Sequence, residues 1–118
     1  MSGNFPFSSS LQAGGFVFIS GKVGTDPQTQ EIAKGDVKRQ TLQILDNLEA
    51  ELRQYNLGLE DAVKTTVFLT DMRNFGEMNE AYRSTFEDSL PTRSCVSVTA
   101  LPHVDALVEI EMIAYKKE

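Results

Sequence analysis

The chain has 118 residues, 41% hydrophobic and 24% charged, a size and balance that fit one folded domain spanning residues 1–118. Its 17 acidic and 11 basic residues leave a formal charge of −6, which argues against non-specific binding to nucleic acid or to anionic membranes, both of which need a basic surface. A single cysteine excludes an internal disulfide, and one cysteine with one histidine excludes a zinc site of the usual ligand count.

No apolar run approaches the length of a membrane span. Met1-Ser2-Gly3-Asn4 shows no basic segment leading into an apolar one, so no secretory signal is expected and a cytoplasmic location is. Phe5-Pro6-Phe7 opens extended, because proline biases its predecessor away from helix. Leu11 to Gly21 reads as a hairpin turning at Gly14-Gly15, with Phe16, Phe18 and Ser20 on one strand face and Val17 and Ile19 on the other. Both of those faces are apolar, which predicts cover on both sides. Asp26-Pro27-Gln28-Thr29 is a turn.

Asp36 caps a predicted helix to about Tyr55, with Val37, Thr41, Ile44, Leu45, Leu48 and Leu52 at helical spacing. Asn56 and Gly58 stop it. The β-branched stretch Asp61–Thr70 predicts a third strand. Asn74 and Glu77 form a capping-box pattern for a second helix carrying Phe75, Met78, Tyr82 and Phe86, which Leu90-Pro91 ends. Two further strands follow, one over Pro91–Val98 and one over Leu107–Ala114. The order β-β-α-β-α-β-β predicts an α+β domain, a mixed sheet with two helices on one face.

Alternation assigns Val96 and Val98 to one face of the fourth strand and Arg93, Cys95 and Ser97 to the other. In the fifth, Val108, Ile110 and Met112 oppose Glu109 and Glu111. On this reading the sheet face away from the helices holds Phe16, Phe18, Ser20, Arg93, Cys95 and Glu109. That set is too apolar to be bare and too polar to be an ordinary core, so a further copy of the chain in a rotationally symmetric assembly is the simplest cover. A planar, always-charged arginine suits a substrate carboxylate, and a nearby glutamate can take a proton from water. An ordinary Arg93–Glu109 ion pair on a solvated face is the plainer reading of the same pattern. Cys95 as a nucleophile with His103 as its base lacks a third orienting group.

The segments Phe18-Ile19-Ser20-Gly21, Val63-Lys64-Thr65-Thr66-Val67-Phe68-Leu69, Asn74-Phe75 with Asn79-Glu80, Pro91-Thr92-Arg93-Ser94-Cys95-Val96 and Ala106-Leu107-Val108-Glu109-Ile110-Glu111 resemble the YjgF family. These are the reactive intermediate deaminases, or Rid proteins, also called L-PSP. The resemblance covers nearly the whole chain. It implies a chorismate-mutase-like fold assembled as a homotrimer, with a barrel-like centre and three clefts between subunits. It implies hydrolysis of 2-enamine or 2-imino acids, such as 2-aminoacrylate, to 2-oxo acids and ammonia, without metal or organic cofactor. By the same resemblance Arg93 holds the substrate carboxylate, Glu109 orients water, and Cys95 and Ser20 line the site.

Two departures stand out. The family commonly has Pro-Tyr-Ser-Gln before the first strand, with the tyrosine hydroxyl in the cleft; here Pro6-Phe7-Ser8-Ser9 keeps the ring and loses the hydroxyl. Gln30 stands where a glycine is usual, and reads as loop variation. The loss at Phe7 keeps a rival in view, a non-catalytic trimer of the same family that binds small metabolites or acts as a holdase. A ribonuclease reading is disfavoured by the acidic balance.

Overall fold

The computed structural model describes residues 5–117, and Met1 to Asn4, expected to carry no secretory signal, lie outside them. Five strands and two helices follow the predicted order: β1 (Ser10–Ala13), β2 (Phe16–Lys22), α1 (Val37–Arg53), β3 (Ala62–Leu69), α2 (Phe75–Phe86), β4 (Thr92–Ser97) and β5 (Val108–Tyr115). The strands form one mixed sheet in the order β1-β2-β5-β3-β4, in which only β3 and β4 run parallel. The hairpin turns at Gly14, whose φ of +62° is open to glycine at little cost.

Both helices lie on one face of the sheet. Val17, Ile19, Val67, Ile110 and Met112 pack there against Ile44, Leu45, Leu48 and Leu52 of α1 and Met78, Tyr82 and Phe86 of α2. Each fully buried leucine contributes about 1.5–3 kcal/mol relative to exposure. Asp36 caps α1 by accepting from the Arg39 amide at 3.2 Å, as its position predicts. α1 ends with Asn56 at φ +62°, while the amides of Leu57 and Asn56 donate to the Leu52 and Arg53 carbonyls. Asparagine thus supplies the left-handed closing residue that glycine more often provides.

The capping box at Asn74 is not made. Asn74 precedes α2 without a side-chain hydrogen bond, and Asp71 caps a short 3-10 turn over Met72–Asn74 instead. α2 ends at Phe86, ahead of Leu90-Pro91, because Glu87 reverses the chain at φ +55°. Gln30, read as loop variation, has φ +67°, a conformation that glycine adopts at little cost.

The open face differs from its expected composition. Phe16 and Phe18 are on it, each 42% exposed, so cover on both sides of β2 is absent within one chain. Arg93 and Cys95 are not on it. Register pairs Arg93 with Thr65 and Cys95 with Val67, both buried residues of the helix-covered side. Val96, assigned to the core by alternation, is instead 43% exposed on the open face. The physical reason is the place of β4. It is an edge strand beside α2, whose aromatic residues accept a guanidinium, while the open face is itself apolar and takes the valine.

Candidate active site

The candidate residues fall into two groups on opposite faces of the sheet. The first surrounds Arg93. Its guanidinium carbon lies 4.8 Å from the centroid of the Tyr82 ring and 5.7 Å from that of Phe75, and its Nη1 reaches Met78 Sδ at 3.8 Å. The ring faces attract the cation and leave the donor fork available at its edge. No carboxylate pairs with Arg93 among the described residues. Tyr82 is held by a 2.6 Å hydrogen bond between its hydroxyl and Thr65 Oγ1. A hollow of about 340 Å³ beside Arg93 is lined also by Asn79, Leu90 and Pro91. Asn79 Oδ1 is buried there without a hydrogen-bond partner among the described residues. Asn79 and Tyr82 belong to this group although helical spacing marks Tyr82 as plain core. The clues in the sequence are the place of Asn79 in a segment that carries the family resemblance and an amide beside an apolar stripe.

Cys95, two residues along β4, packs against the core and is half-buried. Burial pushes its thiol pKa up, against a smaller opposing pull from Arg93, so the thiol stays protonated near neutral pH. His103 is exposed, and its Nδ1 accepts from the Asp105 amide at 3.2 Å. It lines a hollow with Phe7 and Glu109 on the other side of the sheet from Cys95, so the two do not form a nucleophile–base pair.

The second group surrounds Glu109. β5 pairs Glu109 with Phe68 and turns its carboxylate to the open face. A register shift between Ile19 and Lys22 bends β2 at Ser20-Gly21, and the Glu109 carboxylate packs directly onto Gly21. A Cβ on Gly21 would overlap Glu109 Oε2, so the glycine is what admits the carboxylate. Burial raises the Glu109 pKa above the ordinary carboxylate value, and the neighbouring charge of Glu111 raises it further. A hollow of about 700 Å³ joins Glu109, Glu111, Ser20, Gly21, Phe5 and Phe7. The Ser20 hydroxyl donates to the Ser8 carbonyl at 2.7 Å, and so ties down the segment that carries Phe7.

Arg93 and Glu109 therefore do not share a face, contrary to the alternation reading, and they form no ion pair. β3 lies between their strands and three residues of register separate them, so their backbones are roughly 14 Å apart. Among the described residues no group of three or more His, Cys, Asp or Glu side chains could hold a metal ion. None of the helices described is long and apolar enough to cross a membrane.

A family model described as Endoribonuclease L-PSP matches residues 2–116. The chain belongs to the L-PSP (YjgF/Rid) family. A RutC family protein of Pyrococcus horikoshii is 48% identical over 112 residues, covering 95% of this chain and 88% of its own. The mouse 2-iminobutanoate/2-iminopropanoate deaminase is 41% identical over 109 residues, with 92% and 80% covered. Among solved structures, Escherichia coli TdcF with bound serine superposes with a TM-score of 0.89 at 39% identity, over 96% of this chain and 90% of that one. This L-PSP chain thus shares its mixed sheet and helix pair with relatives that span nearly its whole length.

Proposed function

We propose that the protein hydrolyses reactive 2-imino acids, and the 2-enamine acids that tautomerise to them, to 2-oxo acids and ammonia. The observation that carries this is one guanidinium with no carboxylate partner among the described residues, held on the Tyr82 ring, together with a separate carboxylate of raised pKa, in a family that includes a named imine deaminase. Arg93 grips the substrate carboxylate through two parallel hydrogen bonds. Glu109 takes a proton from water as the oxygen bonds to the imine carbon. Glu109 returns that proton to nitrogen to give the carbinolamine, the carbinolamine hydroxyl proton then passes to nitrogen through the same carboxylate, the C–N bond breaks as C=O forms and ammonia leaves, so that imine plus water gives oxo acid plus ammonia. Because Arg93 and Glu109 lie on opposite faces of one chain, the working cleft takes Arg93 and Cys95 from one copy and Glu109, Ser20 and Phe7 from its neighbour. A homotrimer closed over the open face meets this need, and it covers the exposed Phe16, Phe18 and Val96. The direct test generates an imine with an amino-acid oxidase while semicarbazide competes for it. The protein is expected to speed oxo-acid release and suppress semicarbazone; an unchanged semicarbazone yield would overturn the proposal.

Glu109 works only when ionised, so activity falls as pH drops through its raised pKa. Glu111→Gln removes the like charge that adds to the rise. The acidic limb of log kcat/KM against pH is then expected to move to lower pH, because a less repelled carboxylate ionises earlier. A limb that stays in place or moves upward would show that Glu109 is not the titrating base.

A further inference from the structure

The Glu109 hollow has an aromatic wall that the reaction itself does not use. The rings of Phe5 and Phe7 stack with centroids 5.4 Å apart and planes inclined by only 6°. They are 59% and 57% exposed and both line the hollow, with Val23 and Pro102 adding further apolar surface. In one chain two stacked and half-exposed phenylalanines leave apolar area uncovered, and whatever part of it faces the cleft between copies can be covered by a flat apolar group. The stretch of chain that follows the wall, Ser8 to Ser10, is held in place. The Ser20 amide and hydroxyl donate to the carbonyls of Ser9 and Ser8, at 3.0 and 2.7 Å. The Ser9 and Ser10 hydroxyls donate to the Glu51 carboxylate of α1, and Lys22 Nζ donates to Ser9 Oγ at 2.5 Å. Phe7 thus adjoins an anchored residue and loses less freedom on binding than it would at the end of an untied segment.

We propose that the Phe5–Phe7 wall selects 2-imino acids with bulky, apolar side chains, above all aromatic ones, over those of three carbons. The inference rests on the imine-hydrolase reading and adds the substrate's side chain to it. Carboxylate and imine are common to all such substrates, so only the side chain can discriminate, and it does so by apolar area. On one chain the hollow, about 700 Å³ without the neighbour's share of the cleft, is larger than a phenyl group. A three-carbon substrate leaves the wall bare. One methylene in an apolar pocket already changes kcat/KM by about tenfold or more, so a ring stacked on the wall changes it by at least that much.

The test compares two imines made in place by a D-amino-acid oxidase, from D-phenylalanine and from D-alanine, with semicarbazide competition giving kcat/KM for each. The wild-type protein is expected to favour the phenylalanine-derived imine by at least about tenfold. Phe5→Ala and Phe7→Ala, checked for folding by circular dichroism, are each expected to lower that ratio towards one. Equal or inverted preference in the wild type overturns the inference while leaving the hydrolase reading standing. A ratio unchanged in both folded variants overturns it as well. Acceleration of neither imine by the wild type overturns the hydrolase reading, and the inference with it.

Discussion

Arg93→Ala is expected to lower kcat/KM for imine hydrolysis by at least about a hundredfold while the chain remains folded. The two effects separate because Arg93 is engaged by aromatic rings rather than by a charge. Each charge-assisted hydrogen bond to a substrate carboxylate is worth about 1.5–3 kcal/mol. Two of them amount to about 3–6 kcal/mol, and with tenfold in rate per 1.36 kcal/mol the loss is about 10²–10⁴. The structural cost is the stacking on Tyr82 and Phe75, about 0.5–1 kcal/mol at a part-exposed site. That is small beside the 5–15 kcal/mol of a typical domain. No buried partner is orphaned, since the described residues supply no ion pair to Arg93. Arg93→Lys keeps the charge but loses the fork and the stack, and falls between wild type and alanine. Oxidase-coupled turnover with a thermal melt on the same preparation checks both halves. Turnover within twofold of wild type in the folded alanine variant would remove Arg93 from the site.

The elements were legible in the sequence because their signals are local. The Gly14-Gly15 turn, the Asp36 cap and the leucine spacing of α1 each act within a few residues, and each has its counterpart in the structure. The faces of β2 and β5 were legible too, since Val17 and Ile19, or Val108, Ile110 and Met112, alternate cleanly with larger or charged neighbours. The facing of β4 was not. Alternation groups Val96 with Val98, but β4 ends at Ser97 and holds as apolar residues only Cys95 and Val96, adjacent residues that point to opposite sides. The choice is made at long range, by the parallel register with Thr65 and Val67 and by the Tyr82 ring waiting under α2. The same fact hid the role of Tyr82, whose helical spacing is that of a core residue and whose hydroxyl finds Thr65 only in the folded chain. Phe5 reads in the sequence only as part of an extended opening, because its partner is a ring two residues away in a segment with no regular structure. Local propensity thus fixes the elements, while the site depends on which faces distant strands bring round.

That division into two faces leads to the sharpest expectation. Arg93→Ala and Glu109→Gln are each expected to be nearly inactive alone, yet mixed assemblies of the two are expected to recover activity. In the proposed trimer, a cleft built from two copies needs an intact Arg93 from one chain and an intact Glu109 from its neighbour. In an equal, random mixture the first chain is the Glu109→Gln variant half the time, and its neighbour is the Arg93→Ala variant half the time. About one quarter of the clefts are then complete, and about a quarter of wild-type turnover returns. If a single chain supplied both groups, no mixture could repair either defect. The intrachain alternative is already strained by geometry: roughly 14 Å of backbone and the sheet itself stand between the two side chains. Differently tagged variants, unfolded together and refolded, provide the mixture, and native mass spectrometry counts the mixed species. Mixed trimers with no more activity than the parent variants would rule out a cleft shared between copies. Since the faces of one chain cannot meet, that result would also end the partnership of Arg93 with Glu109 on which the proposed chemistry rests.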